Sequence, residues 1–215
     1  MPAKNTIKQY VENALYHLYN RGVEKRKIFL DSQDYAVLLA YLKQYLLPKN
    51  EDELRKSLGS PTATYKDKDT ILKLLRLNNF SEDIAVIAYC LMPNHFHFLV
   101  RQQDALSIDR FMQSLCTRYT QYFNKKYKRV GPLFQGVYKA VMVITEEQLL
   151  HLTRYIHRQS LNLASQGETL QIQSSYAEYI GKRNTVWIHP EDILPYFSKT
   201  NRSLSYETFV KQPAD

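Results

Sequence analysis

The chain has 215 residues, of which 44% are apolar, and a formal net charge of +8 with a pI of about 9.3. This length fits one domain with a sizeable core, and no apolar run is long enough to cross a bilayer, so we expect no membrane partner. The 17 tyrosines and nine phenylalanines beside that charge are typical of nucleic-acid binding, because cations neutralise phosphates and rings stack on unpaired bases. A merely basic soluble protein is the alternative that composition leaves open.

The first 48 residues predict two strands and a helix. Residues 14–20 form a strand in which His17 is either packed or solvent-facing, and residues 27–30 form a second, short strand. Asp31 is a good N-cap for a helix over residues 33–47, which carries apolar residues at helical spacing and ends at Pro48. Residues 49–82 are charged and loop-rich, and we interpret them as an insertion.

A pair of strands around Pro93-Asn94 organises the chain. Residues 84–92 are rich in β-branched side chains and predict a buried strand, and residues 95–101 alternate after the turn. The alternation places His95 and His97 on one face of their strand, about 7 Å apart, where both imidazoles can reach one divalent cation. A half-exposed polar strand face is the alternative, and a metal site needs a third ligand from elsewhere.

The remaining elements complete an α+β fold. A basic amphipathic helix is predicted over residues 107–127, and Arg118 on it is a candidate phosphate contact. Residues 134–144 predict a strand, and residues 145–148 form a capping box that opens a last helix. With residues 27–30 counted as a strand, the order predicts an antiparallel sheet with helices packed on it. Cys90 and Cys116 are expected as free thiols in a reducing cytoplasm, with a disulfide as the alternative.

The last helix offers the missing ligand and a nucleophile. Tyr155 and Gln159 are spaced i, i+4 and share a helix face. Two imidazoles and one amide oxygen leave open positions and suit Mg²⁺ or Mn²⁺ when a phosphate supplies further oxygens. A phenol becomes a competent nucleophile when a cation stabilises the phenolate. Taken singly, any one of 17 tyrosines is more often a packing residue than a nucleophile, and the alternative for Gln159 is an exposed helix side chain.

The chain resembles the REP-associated tyrosine transposases, within the single-strand insertion-sequence transposases of the His-hydrophobic-His tyrosine type. The most specific segment is Met92-Pro-Asn-His-Phe-His-Phe-Leu-Val100. The resemblance covers nearly the whole chain except about residues 49–82. The supporting segments are residues 16–22, 28–31, 34–35, 131–136, 138–140, 154–157, 174–176, Tyr179, Gly181 and residues 187–197.

The resemblance implies a ferredoxin-like catalytic domain over residues 1–165, with the insertion at 49–82 and a C-terminal extension over residues 166–215. His95, His97 and Gln159 would bind the metal ion, and Tyr155 would attack a phosphate of single-stranded DNA. The products would be a 5′-phosphotyrosyl adduct and a free 3′-hydroxyl. A second 3′-hydroxyl could then rejoin the strands, so no nucleotide cofactor is expected.

Two positions depart from the family's pattern. The REP-associated subgroup usually continues its Tyr-Ile-His motif with Asn-Pro-Val, whereas this chain has Gln159-Ser160-Leu161. The amide is kept on a longer arm, and the missing proline removes a helix stop. Val137 stands where the family usually has a basic residue, which puts one phosphate contact in doubt.

The leading hypothesis is therefore a metal-dependent, transposase-like DNA strand transferase of the bacterial cytoplasm and nucleoid, acting on single-stranded DNA with a hairpin. Arg154, Arg158 and Lys139 are further candidate phosphate contacts, each of which is alternatively a solvated surface cation. The second hypothesis is a domesticated module that binds hairpin DNA or RNA without cutting it. The sequence leaves open whether the site forms within one protomer or is exchanged in a homodimer.

Overall fold

The computed structural model describes residues 10–165 and 173–212, with side chains given outside residues 162–165. None of the helices in these two ranges is long and apolar enough to cross a membrane. The strands are β1 Leu15–Arg21, β2 Ile84–Met92, β3 His95–Gln102, β4 Lys139–Val143 and β5 Gln173–Ser174. The helices are α1 Ser32–Leu46, α2 Glu51–Leu58, α3 Tyr65–Arg76, α4 Ser107–Lys126, α5 Glu146–Ser165, α6 Tyr176–Tyr179 and α7 Tyr206–Lys211.

The five strands form one antiparallel sheet in the order β4-β1-β3-β2-β5. Without the inserted α2 and α3, the order β1-α1-β2-β3-α4-β4 is the β-α-β-β-α-β arrangement of ferredoxin-like folds. The predicted α+β class and the ferredoxin-like antiparallel sheet are therefore confirmed.

Alternation along β3 divides the core between the two faces of the sheet. Phe96, Phe98 and Val100 are buried in a large cluster with residues of α1 and α4. Leu99, on the other face, is buried in a smaller cluster with residues of α5 and of the C-terminal segment. The face of Leu99 is the one that carries His95 and His97, and it is called the histidine face below.

The predicted strand over residues 27–30 is wrong. Ile28 and Phe29 are fully buried, but both backbone N–H groups donate to the same acceptor, the carbonyl of Pro93, at 2.7 and 3.1 Å. A single carbonyl cannot provide the series of hydrogen bonds that pairs two strands. The apolar run is therefore an irregular segment that packs under the β2–β3 turn. The strand predicted over residues 134–144 is real but shorter, because Gly136 takes a positive φ of 77° and ends the extended run.

The insertion and the extension differ in how they pack. Helices α2 and α3 contact each other and contain no buried residue. The described part of the extension is packed instead: β5 pairs with β2, and Tyr206 and Val210 of α7 are buried beside α5. The division at residue 165 stays a prediction. Cys90 and Cys116 form no disulfide, as expected.

Helix α1 begins with a capping box. The Asp31 carboxylate accepts a hydrogen bond from the Asp34 N–H, and the Asp34 carboxylate accepts one from the Asp31 N–H. We expect Asp31→Ala to lower the free energy of unfolding by about 1 to 2 kcal/mol, because N-cap removal leaves helix donors unpaired. Urea unfolding measures this.

The matched control for Asp31→Ala is Asn50→Ala, which removes the N-cap of α2. Because α2 has no buried residue, this change should alter the main unfolding transition by less than about 0.5 kcal/mol. Equal losses for the two variants would contradict the view that α1, and not the insertion, belongs to the cooperative core.

Candidate active site

Strand β3 places two imidazoles side by side on the histidine face. The rings of His95 and His97 have centroids 5.0 Å apart and are perpendicular. Tyr19 and Arg21 of β1 lie opposite His97 and His95, respectively. His97 is only 5% exposed, whereas His95 is half-buried. The strand alternation alone produces this pair.

The hydrogen bonds of the two rings leave their Nε2 atoms available. His95 Nδ1 lies 2.6 Å from Asn94 Oδ1, which only accepts, so Nδ1 carries the proton in the neutral ring. His97 Nδ1 lies 2.9 Å from His17 Nε2. His97 Nε2 is buried and has no hydrogen-bond partner. An unpartnered buried nitrogen of this kind fits an imidazole that binds a metal ion.

Both rings are neutral at pH 7. Burial, and to a lesser degree the neighbouring His17 and His95, lower the pKa of His97 to about 3. Burial and the Arg21 guanidinium lower the pKa of His95 as well. Neutral imidazoles are the form that binds metal ions, because a protonated ring has no lone pair to donate.

Helix α5 brings Tyr155 to the same face. The Tyr155 ring centroid is 5.4 Å from that of His97, and the two planes meet at 84°. The phenol is 46% exposed, and Gln159 follows one turn later on the same helix. Partial burial raises the pKa of Tyr155, and the neighbouring Gln159 side chain opposes that rise. The phenol therefore needs a nearby cation to act as a nucleophile.

Packing of α5 sets the position of Tyr155. Leu149 and Ile156 are buried in the cluster beneath the helix together with Cys90 and Leu99 of the sheet. Because Ile156 points into this cluster, Tyr155 projects from the flank of the helix, beside the histidines and open to solvent. One chain thus brings together His95, His97, Tyr155 and Gln159.

The residues fit a metal ion of mixed nitrogen and oxygen preference. Within residues 10–165 and 173–212, no three His, Cys, Asp or Glu side chains form a metal-binding group. The predicted set has two imidazoles and one amide oxygen, so its third ligand is of another type. The ligand roles of His95, His97 and Gln159 stay predictions that the buried Nε2 of His97 supports.

The four candidate phosphate contacts are spread over the surface. Lys139 is exposed at the start of β4 and pairs with Tyr19 on the histidine face, its Nζ 6.0 Å from the Tyr19 ring centroid. Arg154 stacks over Phe209 of α7 at 4.9 Å.

The other two arginines point elsewhere. Arg158 donates to the carbonyl of Gln212 at 3.1 Å, so it faces the end of the described chain. Arg118 lies 3.7 Å over the Tyr41 ring on the opposite side of the sheet, since both α1 and α4 pack there. Only Lys139 therefore faces the candidate site directly, and DNA contact by any of the four stays a prediction.

Sequence reasoning missed the role of His17. Its side chain was expected to be packed or solvent-facing, whereas it is hydrogen-bonded to the His97 ring, with ring centroids 5.0 Å apart. The signal lies in the pairing of β1 with β3, which sets Tyr19 opposite His97 and His17 one pleat away on the same face. A single sequence does not reveal that register.

Two solved structures resemble this chain weakly. A solved structure of a REP-associated tyrosine transposase bound to a REP hairpin is 10% identical, with a TM-score of 0.48 over 87% of this chain and 98% of that one. A protein assigned as a transposase from Deinococcus radiodurans r1 is 17% identical, with a TM-score of 0.29 over 72% of this chain and 97% of that one. Both scores lie below 0.5, so the fold assignment depends on the strand order of this chain itself. A search of the curated proteins gives no match.

A family comparison is more specific. Residues 60–159 match the family described as "Transposase IS200 like". The matched segment contains both histidines of β3 and ends at Gln159, so it includes every residue of the candidate site except His17 of β1. Over these residues, a little under half of the chain, the protein is similar to the IS200-like transposases.

Proposed function

We propose that this protein is a metal-dependent strand transferase that cleaves and rejoins single-stranded, hairpin-bearing DNA through a 5′-phosphotyrosine intermediate. The observation that carries the proposal is the contact between the Tyr155 ring and His97, whose buried Nε2 has no partner. A phenol, two neutral imidazoles and an amide on one open face are the groups that such a reaction needs.

In the cleavage step, the Tyr155 oxygen attacks a backbone phosphorus. An oxygen–phosphorus bond to Tyr155 forms as the phosphorus–O3′ bond breaks, so the 5′-phosphate stays on the protein. The phenol proton is lost to solvent and the departing 3′-oxygen gains one. Exposure of nearly half of the Tyr155 side chain gives the DNA backbone access to the phenol.

His95, His97 and Gln159 would hold Mg²⁺ or Mn²⁺. When bound, the ion would polarise the phosphodiester and balance negative charge in the transition state. The chain itself orients one of these ligands, because Asn94 Oδ1 accepts a hydrogen bond from the His95 ring.

Rejoining is the reverse step. The phosphotyrosyl bond keeps the energy of the phosphodiester, so a second 3′-hydroxyl can attack it and release Tyr155 without a nucleotide cofactor. Lys139 is placed to neutralise a phosphate beside the site, and the hairpin substrate follows from the resemblance of the motifs. The contact of Tyr155 with His97 within one chain supports a site formed by a single protomer, and a homodimer stays a prediction.

A hairpin flanked by randomised single-stranded arms tests the proposal without knowledge of the target. With Mn²⁺ and a label at the 3′ end, we expect labelled DNA to migrate with the protein on a denaturing gel. The fragment released on the other side should carry a 3′-hydroxyl that a polymerase extends. Chelation of the ion should remove the adduct, and His95→Ala should lower its yield by at least about tenfold.

The same experiment separates the alternative function. Hairpin binding without an adduct in any ion tested would favour a domesticated binding module. An adduct that His95→Ala leaves unchanged would reject the metal assignment while keeping the tyrosine chemistry. Sequencing the captured DNA would define the cleavage site.

A further inference from the structure

His17 and His97 form a directed pair on neighbouring strands. Their rings are nearly parallel, at 23°, with centroids 5.0 Å apart, and the nitrogen–nitrogen distance of 2.9 Å is that of a hydrogen bond. A hydrogen bond between two ring nitrogens requires an N–H on one and a lone pair on the other, and a neutral imidazole carries one of each. One ring must therefore donate and the other must accept.

The surroundings decide which ring donates. If His17 donated, the only proton of His97 would sit on Nε2, which is buried and has no partner. Orphaned buried N–H groups are rare in folded proteins, whereas a bare lone pair at that atom is what a metal ion uses. The second nitrogen of His17, Nδ1, is not among the buried atoms without a partner, so a proton there is tolerated.

We infer that His17 is a positioning residue that accepts the Nδ1–H of His97 and thereby holds the bare Nε2 of His97 toward the metal position. The assignment of the tautomer depends only on the contacts of these two rings. The statement about the metal ion rests on the proposed function. Partners of this kind fix the orientation of a ligating imidazole and raise its basicity.

Two variants of His17 separate hydrogen bonding from packing. His17→Phe keeps a flat ring but offers no acceptor, and we expect it to weaken Mn²⁺ binding by about 10- to 100-fold. His17→Gln places a carbonyl oxygen near the position of Nε2 and should restore most of that loss. Calorimetric titration with Mn²⁺ measures both, after thermal melting has shown that each variant is folded.

The tautomer has a readout that needs neither metal nor activity. Long-range ¹H–¹⁵N correlation spectra of the metal-free protein should show His97 protonated at Nδ1. A His97 ring protonated at Nε2 would overturn the inference, as would His17→Phe binding Mn²⁺ as tightly as the unmodified protein. If the unmodified protein binds no Mn²⁺, the proposed function fails, and the spectrum alone decides the inference. Should His17→Phe not fold, the spectrum and the affinity of His17→Gln decide it, and a tenfold weaker His17→Gln would count against an acceptor role.

Discussion

Tyr155→Phe should reduce the covalent adduct by at least about 10³-fold, because it removes the only oxygen that can bond to phosphorus at this position. The ring and its packing against His97 are kept. The residue is nearly half exposed, so the free energy of unfolding should change by less than about 0.5 kcal/mol. Hairpin binding, followed by fluorescence anisotropy, should remain within about twofold of the unmodified protein.

A matched control for Tyr155→Phe is Tyr196→Phe, since the exposed fractions of the two tyrosines are 46% and 47%. The control should form the adduct normally. An adduct that persists in Tyr155→Phe would mean that another phenol is the nucleophile. Tyr19 would then be the next candidate, because its ring lies 5.9 Å from that of His97.

The tyrosines on and next to α4 are poor substitutes for Tyr155 as a nucleophile. Tyr119 is fully buried and donates to the carbonyl of Ile28, and Tyr122 donates to Asp34. Tyr127, directly after α4, also donates to Asp34. All three lie across the sheet from the histidines. Among the 17 tyrosines of the chain, they are therefore poor candidates for the nucleophile.

The sequence pattern correctly predicted the features that depend on residues close together along the chain. Alternation along β3 is enough to place His95 and His97 on one face, because successive side chains of a strand point to opposite sides. The i, i+4 spacing is likewise enough to put Tyr155 beside Gln159. The antiparallel α+β architecture followed from the predicted order of elements, whereas the ferredoxin-like topology was implied by the family resemblance.

The errors arose where tertiary pairing outweighs local pattern. Residues 27–30 are apolar enough for a strand, but the carbonyl of Pro93 takes both of their central donors. His17 acquires its role only from the register of β1 on β3. The directions of Arg118 and Arg158 depend on Tyr41 and on Gln212, which are far from them along the chain.

The second large expected effect is that of buried histidines on how the stability of the protein depends on pH. His157 is fully buried on α5, with Nδ1 2.6 Å from the Tyr206 hydroxyl and Nε2 2.7 Å from the Ser175 hydroxyl. It thereby joins the tyrosine-bearing helix to the C-terminal segment. Burial lowers the pKa of His157 to about 3, below the 6.5 of a free histidine.

The sign of the effect follows from proton counting. Between pH 6.5 and pH 3 the unfolded chain binds a proton at this histidine and the folded chain does not, so acid favours unfolding. The contribution of a neutral His157 to the free energy of unfolding is fully present above pH 6.5. Below that pH it decreases by on the order of 1.4 kcal/mol for each pH unit. Burial also lowers the pKa of His17 to about 4. The slope of the unfolding free energy against pH should therefore correspond to the uptake of more than one proton on unfolding.

His157→Gln isolates the share of this one residue. The amide keeps a donor and an acceptor but does not titrate, so the slope of the unfolding free energy between pH 6 and pH 4.5 should fall by about one proton. At pH 7 the variant should lose about 1 to 3 kcal/mol, because two buried hydroxyls are re-paired imperfectly. Urea unfolding at several pH values measures both quantities. His151→Gln, on the exposed side of the same helix, is the matched control, and a slope in His157→Gln equal to that of the unmodified protein would show that His157 is not held neutral in the folded protein.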